Sequence, residues 1–296
     1  MSNSWRELVE PTLIPAGSRV DLARDFDPGR SDPRYDKDSG AAALAQSSSE
    51  LGALQDRFFA QADTALLIVL QAIDAAGKDG TVKHVMSGLN PEGVSAYSFK
   101  APSTLERSHD FLWRHQCAAP ALGRIAVFNR SHYENVLVTR VHPELVWPAT
   151  EGPPTDELWQ RRYRAINDWE RHLTDSGTVI VKLFLHLSKD EQKKRFLQRL
   201  DRPEKNWKFC AADLTERGRW DDYQHAFTEM LNHTNTEWAP WHVIPADHKW
   251  FSHLSTSAVL LDTLQRIDPR YPRVEGRAAE ELASARAALL AEGESA

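Results

Sequence analysis

Residues 64–80 read TALLIVLQAIDAAGKDG, and their order decides how the rest of the chain is read. An apolar run stops at a turn of small residues and delivers Gly77-Lys78 to the start of a helix. This is how a phosphate-binding loop is built: a strand aims it, backbone N–H groups cradle phosphate oxygens, and a lysine neutralises them. Ala75, Ala76, Gly77, Gly80 and Thr81 are the candidate cradle around Lys78. The run departs from G-x-x-x-x-G-K-[ST] twice. Ala72 stands where the first glycine belongs, and Asp79 stands where Ser or Thr would meet magnesium. Inside the loop, Asp74 puts a carboxylate beside the phosphate position, which is unfavourable unless a cation lies between them. Asp74 and Asp79 are therefore candidate ligands for Mg²⁺, with Mn²⁺ as the substitute, shared with phosphate oxygens. The competing reading is an ordinary strand-to-helix turn.

The chain has 296 residues, 41% hydrophobic and 26% charged, a soluble globular balance. No apolar run approaches the roughly 18 residues of a membrane span. The first 15 residues lack the basic-then-apolar pattern of a secretion signal. Cys117 and Cys210 have no metal-ligand spacing and read as free thiols in a reducing cytoplasm. A net charge of −6 disfavours generic nucleic-acid binding. Positive charge is concentrated instead at 188–208, SKDEQKKRFLQRLDRPEKNWK, with eight Lys or Arg against four Asp or Glu.

Short apolar runs at 65–72, 96–99, 124–129, 178–187 and 241–245 read as strands. Helical patterns separate them at 80–88, 104–116, 132–138, 155–174, 189–200, 221–234 and 253–266, and 40–61 precedes the first. This alternation predicts a parallel sheet covered on both faces, with ligands at the carboxyl ends of its strands. Residues 1–40 read as an extended arm on the core. The Ala- and Glu-rich tail, 275–296, reads as a helix with a thin apolar stripe.

Two further segments suit phosphate chemistry. In RIAVFNRSHYE, 124–134, a buried strand ends in Asn129-Arg130, where phosphate-loop proteins often place a magnesium-associated Asp. Arg130 can fork onto phosphate oxygens. In 188–208, the spacing lets Lys189, Lys193, Arg195 and Arg199 line part of a helix face, and Lys205 and Lys208 flank Trp207. Beside a phosphate loop, the stretch fits a lid that closes over phosphates and excludes water. A charge run is more often a solvated helix face. In HDFLWR, 109–114, Asp110 and Arg114 are four apart. On a helix they form a salt bridge or a wall of an acceptor site.

Taken together, the chain resembles the polyphosphate kinase 2 family. The stretches that carry the resemblance are AIDAAGKDGT (72–81), HDFLWRHQ (109–116), FNRSHYENVLVTRVHP (128–143), FLHLSKDEQKKRFLQR (184–199), RPEKNWKF (202–209), WDDYQHA (220–226) and TNTEWAPWHVIPADHKWF (234–251). They run in order and cover about two-thirds of the chain. The resemblance implies a thymidylate-kinase-like phosphate-loop fold, α/β with a five-stranded parallel sheet and a helical lid at 188–215. It implies one domain over 1–296, Mg²⁺-dependent transfer between inorganic polyphosphate and purine nucleotides, and a cytoplasmic homo-oligomer, tetramer or dimer. Asp74 to Thr81 would hold polyphosphate and metal. Asn129 and Arg130 would lie near the transferred group, and Asp110, Arg114 and Asp213 at the acceptor nucleotide. Asn129 in place of Asp is similar to the class III subgroup, which accepts AMP and ADP. Two other kinases stay open on the residues: an ATP-dependent nucleotide kinase and an ADP/GDP-only polyphosphate kinase. A non-catalytic polyphosphate-binding protein is the third alternative.

Overall fold

The computed structural model describes residues 4–147 and 153–292. Residues 1–3 of the expected arm and 293–296 of the expected tail lie outside them. Five strands form one sheet: β1 (Ala65–Ala72), β2 (Val94–Tyr97), β3 (Ile125–Asn129), β4 (Thr178–His186) and β5 (Trp241–Pro245). Their order is β2-β3-β1-β4-β5 and every pairing is parallel. β1 is buried along its whole length, as a central strand covered on both faces must be. That explains why it reads as a continuous apolar run rather than an alternating one. The expected α/β parallel sheet is therefore present. β1 and β3 end side by side, Leu70 opposite Asn129, so the phosphate loop and Asn129-Arg130 leave the same edge.

The helices follow the expected order with instructive differences. Residues 104–116 do not form one helix but two single turns, Thr104–Arg107 and Trp113–Gln116. Ser103 and Glu106 box-cap the first. The Asp110 carboxylate then accepts from the Leu112 N–H at 2.8 Å, a local bond that competes with helix continuation. Residues 132–138 likewise break into a 3₁₀ turn, His132–Asn135, and a turn of helix, Val138–Val141.

The arm is less extended than expected. It contains the helix Ser4–Val9 and the turn Leu22–Asp25, and it buries Trp5, Leu8, Val9, Ile14 and Leu22. The Ile14 N–H donates to the Trp241 carbonyl at 2.9 Å, and Leu13 bridges antiparallel to His242. The arm thus covers the β5 edge, which would otherwise expose unpaired backbone groups. The tail forms the helix Arg277–Glu292 without a buried residue. No helix among the described residues is long and apolar enough to cross a membrane.

Two histidines beneath this cover make stability depend on pH. Burial lowers both His186 and His242 to about 4. The unfolded chain protonates these rings near pH 6.5, so it binds more protons between 6.5 and 4. Stability is therefore complete above 6.5 and is lost as pH falls toward 4, by at most about 3 kcal/mol per ring. Urea midpoints measured from pH 7 to 4.5 should fall. The His242→Gln variant should show a flatter dependence, and identical slopes would disprove the assignment.

Candidate functional site

The loop after β1 owes its shape to its backbone. Ala75 has φ 65° and Gly77 has φ 112°, both left-handed, which alanine adopts only at a cost. The helix behind the loop, Lys189–Leu200, holds that shape. Gln192 Nε2 donates to the Asp74 carbonyl at 3.0 Å. One guanidinium nitrogen of Arg195 donates to the Ala75 and Ala76 carbonyls at 3.0 and 2.8 Å. Three consecutive carbonyls are thus engaged on one side. Helix Lys78–Val85 then begins at Gly77, and its first N–H groups have no partner within the helix. They and the dipole of that end favour an anion.

Lys78 lies at the centre. Its Nζ donates to the Ala72 carbonyl at 2.7 Å and the Ile73 carbonyl at 3.4 Å. Burial pushes its pKa below the ordinary lysine value, and Asp74 opposes that shift. Arg130, itself left-handed at φ 64°, reaches Asp74 at 3.5 Å. Asn129 donates from Nδ2 to Asp79 Oδ1 at 2.8 Å, while its buried Oδ1 has no partner.

Two cavities meet at this point. The first, ≈ 420 Å³, runs from the loop beneath 195–213. Seven cationic side chains line it, Lys78, Arg130, Arg195, Arg199, Lys205, Lys208 and Lys249, against three acidic ones, Asp74, Asp79 and Asp213. Arg199 approaches Asp213 at 3.6 Å. Burial pushes the Asp213 carboxyl above its ordinary value. Burial lowers Lys249, and the neighbouring charges of Arg195, Lys205 and Arg199 lower it further. The second cavity, ≈ 270 Å³, shares Asp74, Lys78, Arg130 and Asp213 with the first. Its walls mix apolar Leu137, Val138, Leu145 and Phe227 with polar Glu134, His142, Glu216 and Tyr223.

The structure thus brings together Asp74 to Gly80, Asn129, Arg130, Arg195, Arg199, Lys205, Lys208 and Asp213. Thr81 is buried beneath the loop. Asp110 and Arg114 line neither cavity and do not pair with each other. Arg114 instead donates to the Lys100 carbonyl at 2.7 Å and approaches Glu106 at 3.8 Å. Arg195, expected as a lid cation, is only 4% exposed and donates to four backbone carbonyls and to Glu191. Sequence reading missed Lys249 and Glu134. Both stand inside the segments quoted above, but neither has a spacing that marks it.

The family model for polyphosphate kinase 2 matches residues 34–272. The chain belongs to the polyphosphate kinase 2 family. It is 46% identical over 280 residues to the ADP-polyphosphate phosphotransferase of Rhodopseudomonas palustris, covering 93% of this chain and 96% of the relative. It is 44% identical over 239 residues to the AMP/ADP-polyphosphate phosphotransferase of Meiothermus ruber, covering 81% of this chain and 86% of that one. The crystal structure of polyphosphate kinase 2 from Arthrobacter aurescens TC1 superposes with a TM-score of 0.84 at 43% identity, covering 93% of this chain and 95% of the other. This family member therefore has the fold that its sequence segments implied.

The donor set suits a divalent metal. Asp74, Asp79 and the orphaned Asn129 Oδ1 offer oxygen only, the preference of a hard cation. No group of three or more His, Cys, Asp or Glu that could hold a metal occurs among the described residues. Two carboxylates plus substrate phosphates is the usual arrangement for Mg²⁺.

Proposed function

We propose that this chain transfers phosphoryl groups between inorganic polyphosphate and purine nucleoside mono- and diphosphates, AMP to ADP and ADP to ATP, reversibly and with Mg²⁺. The observation that carries the reading is the meeting of two unlike cavities at Lys78, Asp74 and Arg130. The basic one suits a repeating anion. The mixed one has apolar walls for a base and polar groups for a ribose. A phosphate oxygen of the nucleotide, ionised at neutral pH and so needing no general base, attacks the terminal phosphorus of polyphosphate in line. The terminal P–O–P bond breaks and the polyphosphate, one phosphate shorter, leaves on its bridging oxygen. Positioning and charge neutralisation carry the catalysis. Lys78 and the loop N–H groups bind the donor, and Arg130 reaches the transferred group from between the cavities. Asp74, Asp79 and Asn129 would hold Mg²⁺, which when bound neutralises charge on the phosphate oxygens. Arg199, Lys205 and Lys208 bind the polyphosphate further along.

The same reading takes 1–296 as one domain with arm, lid at 188–215 and tail, working as a cytoplasmic homo-oligomer, a tetramer or dimer. Asp213, which lines both cavities, is the nucleotide-side residue this geometry favours over Asp110 and Arg114. The test incubates purified protein and Mg²⁺ with AMP or ADP, each with long-chain polyphosphate or with ATP as donor, and separates the nucleotides by chromatography. ADP and then ATP should form from AMP with polyphosphate, and chelation of the metal should stop it. Product from AMP only with ATP as donor would make the chain a conventional nucleotide kinase. Product from ADP alone would limit it to diphosphates.

A further inference from the structure

Behind the site lies a charged cluster that touches neither cavity. Lys182 on β4 and Glu170 on helix Asp156–Asp175 are both fully buried and pair at 2.8 Å. The Lys182 ammonium also reaches the Tyr133 hydroxyl at 3.0 Å and the Thr234 carbonyl at 2.6 Å, so all three donors are used. Glu170 Oε1 accepts from the Tyr133 hydroxyl at 2.7 Å and lies 3.1 Å from His132 Nε2. Burying two charges costs several kcal/mol per ion, and apolar residues of like volume are often as stable. Stability alone therefore gives no reason for this pair.

Its neighbours in the chain supply one. His132 and Tyr133 directly follow Arg130 and Ser131 and directly precede Glu134. Ser131 is fixed from the other side, its hydroxyl accepting from Gln71 Nε2 of β1 at 3.0 Å. The segment 131–133 is thus stapled between β1, β4 and a long helix. The two residues that flank the staple, Arg130 and Glu134, both line the second cavity. Arg130 also holds a left-handed backbone that only its surroundings can enforce.

We propose that the buried Lys182–Glu170 pair is a positioning device for phosphoryl transfer, holding Arg130 and Glu134 in place through His132 and Tyr133. This rests on the function proposed above, in which Arg130 meets the transferred group. A displacement of about 1 Å at such a group can cost about 10²-fold in rate.

The test measures kcat, the KM for polyphosphate and thermal melting for wild type, Tyr133→Phe, Lys182→Met with Glu170→Leu, Arg130→Ala, and Tyr133→Phe with Arg130→Ala. Tyr133→Phe takes one acceptor from buried Lys182, so it should stay folded at a lowered melting temperature, lose roughly tenfold in kcat, and keep its KM within about twofold. The apolar pair should remain folded and lose more. In the Arg130→Ala background, Tyr133→Phe should cost almost nothing further, because a residue that acts through Arg130 couples to it, whereas a merely structural one adds. Additive losses, or wild-type kcat in Tyr133→Phe, would overturn the proposal. If the apolar pair does not fold, the Tyr133–Arg130 cycle decides alone. A wild type without turnover would instead overturn the function and this inference with it.

Discussion

Replacing Lys78 by Met is expected to abolish phosphoryl transfer while leaving the fold intact. Removing one preorganised donor from a charge-stabilising site costs about 10²–10³ in rate, and removing a full positive charge from a phosphoryl group costs about 10³–10⁵. Lys78 combines both roles, so a loss of about 10³-fold or more is expected. The fold should tolerate the change. Lys78 gives the native state only two bonds to carbonyls at the β1 end, and burial works against its charge. Met removes that penalty and keeps most of the volume. Turnover and melting temperature, measured together, check both halves. A folded Lys78→Met protein with activity within tenfold of wild type would remove the loop from the chemistry. Lys78→Arg should not rescue, because a planar guanidinium cannot take the place of a compact ammonium 2.7 Å from the Ala72 carbonyl.

The sequence made the sheet and its ligand edge legible because both depend on local pattern. A strand buried on both faces reads as an apolar run, and β1 and β5 appeared with their observed bounds. Helix 189–200 did so as well, since its cap and its amphipathic spacing are local. Residues 104–116 misled because helical spacing said nothing of the Asp110 bond that interrupts the helix. Asp110 and Arg114, placed on one face by that spacing, are therefore not on one helix at all. The assembly of the basic cavity was half legible. Arg199, Lys205 and Lys208 stand in one charge run, but Lys249 arrives from the start of a helix beyond β5. Glu170 and Lys182 were invisible, since pairing across 12 residues between a helix and a strand has no sequence period. A buried lysine in a strand is legible only when its partner is seen.

Arg195 tests whether the basic segment binds phosphate or builds the place where phosphate binds. As a lid cation it would leave the loop untouched when replaced, and Arg195→Lys would retain its charge and most activity. The geometry predicts otherwise. Arg195 joins the loop after β1 to the loop after β5, donating to the Ala75, Ala76, Ala246 and Asp247 carbonyls. Its Nε also meets Glu191 at 3.0 Å. Arg195→Met leaves those carbonyls without this donor and Glu191 with Lys194 alone, at 3.7 Å, a loss of about 3 kcal/mol or more. The left-handed turn at Ala75 then relaxes and the N–H groups lose their aim. The denaturant midpoint and kcat/KM should fall together, and polyphosphate should no longer raise the melting temperature. Arg195→Lys should fail similarly, because one ammonium cannot serve carbonyls on two loops. Full activity in Arg195→Lys would return Arg195 to the lid. Joint loss in both variants would make it the brace that gives the loop its shape.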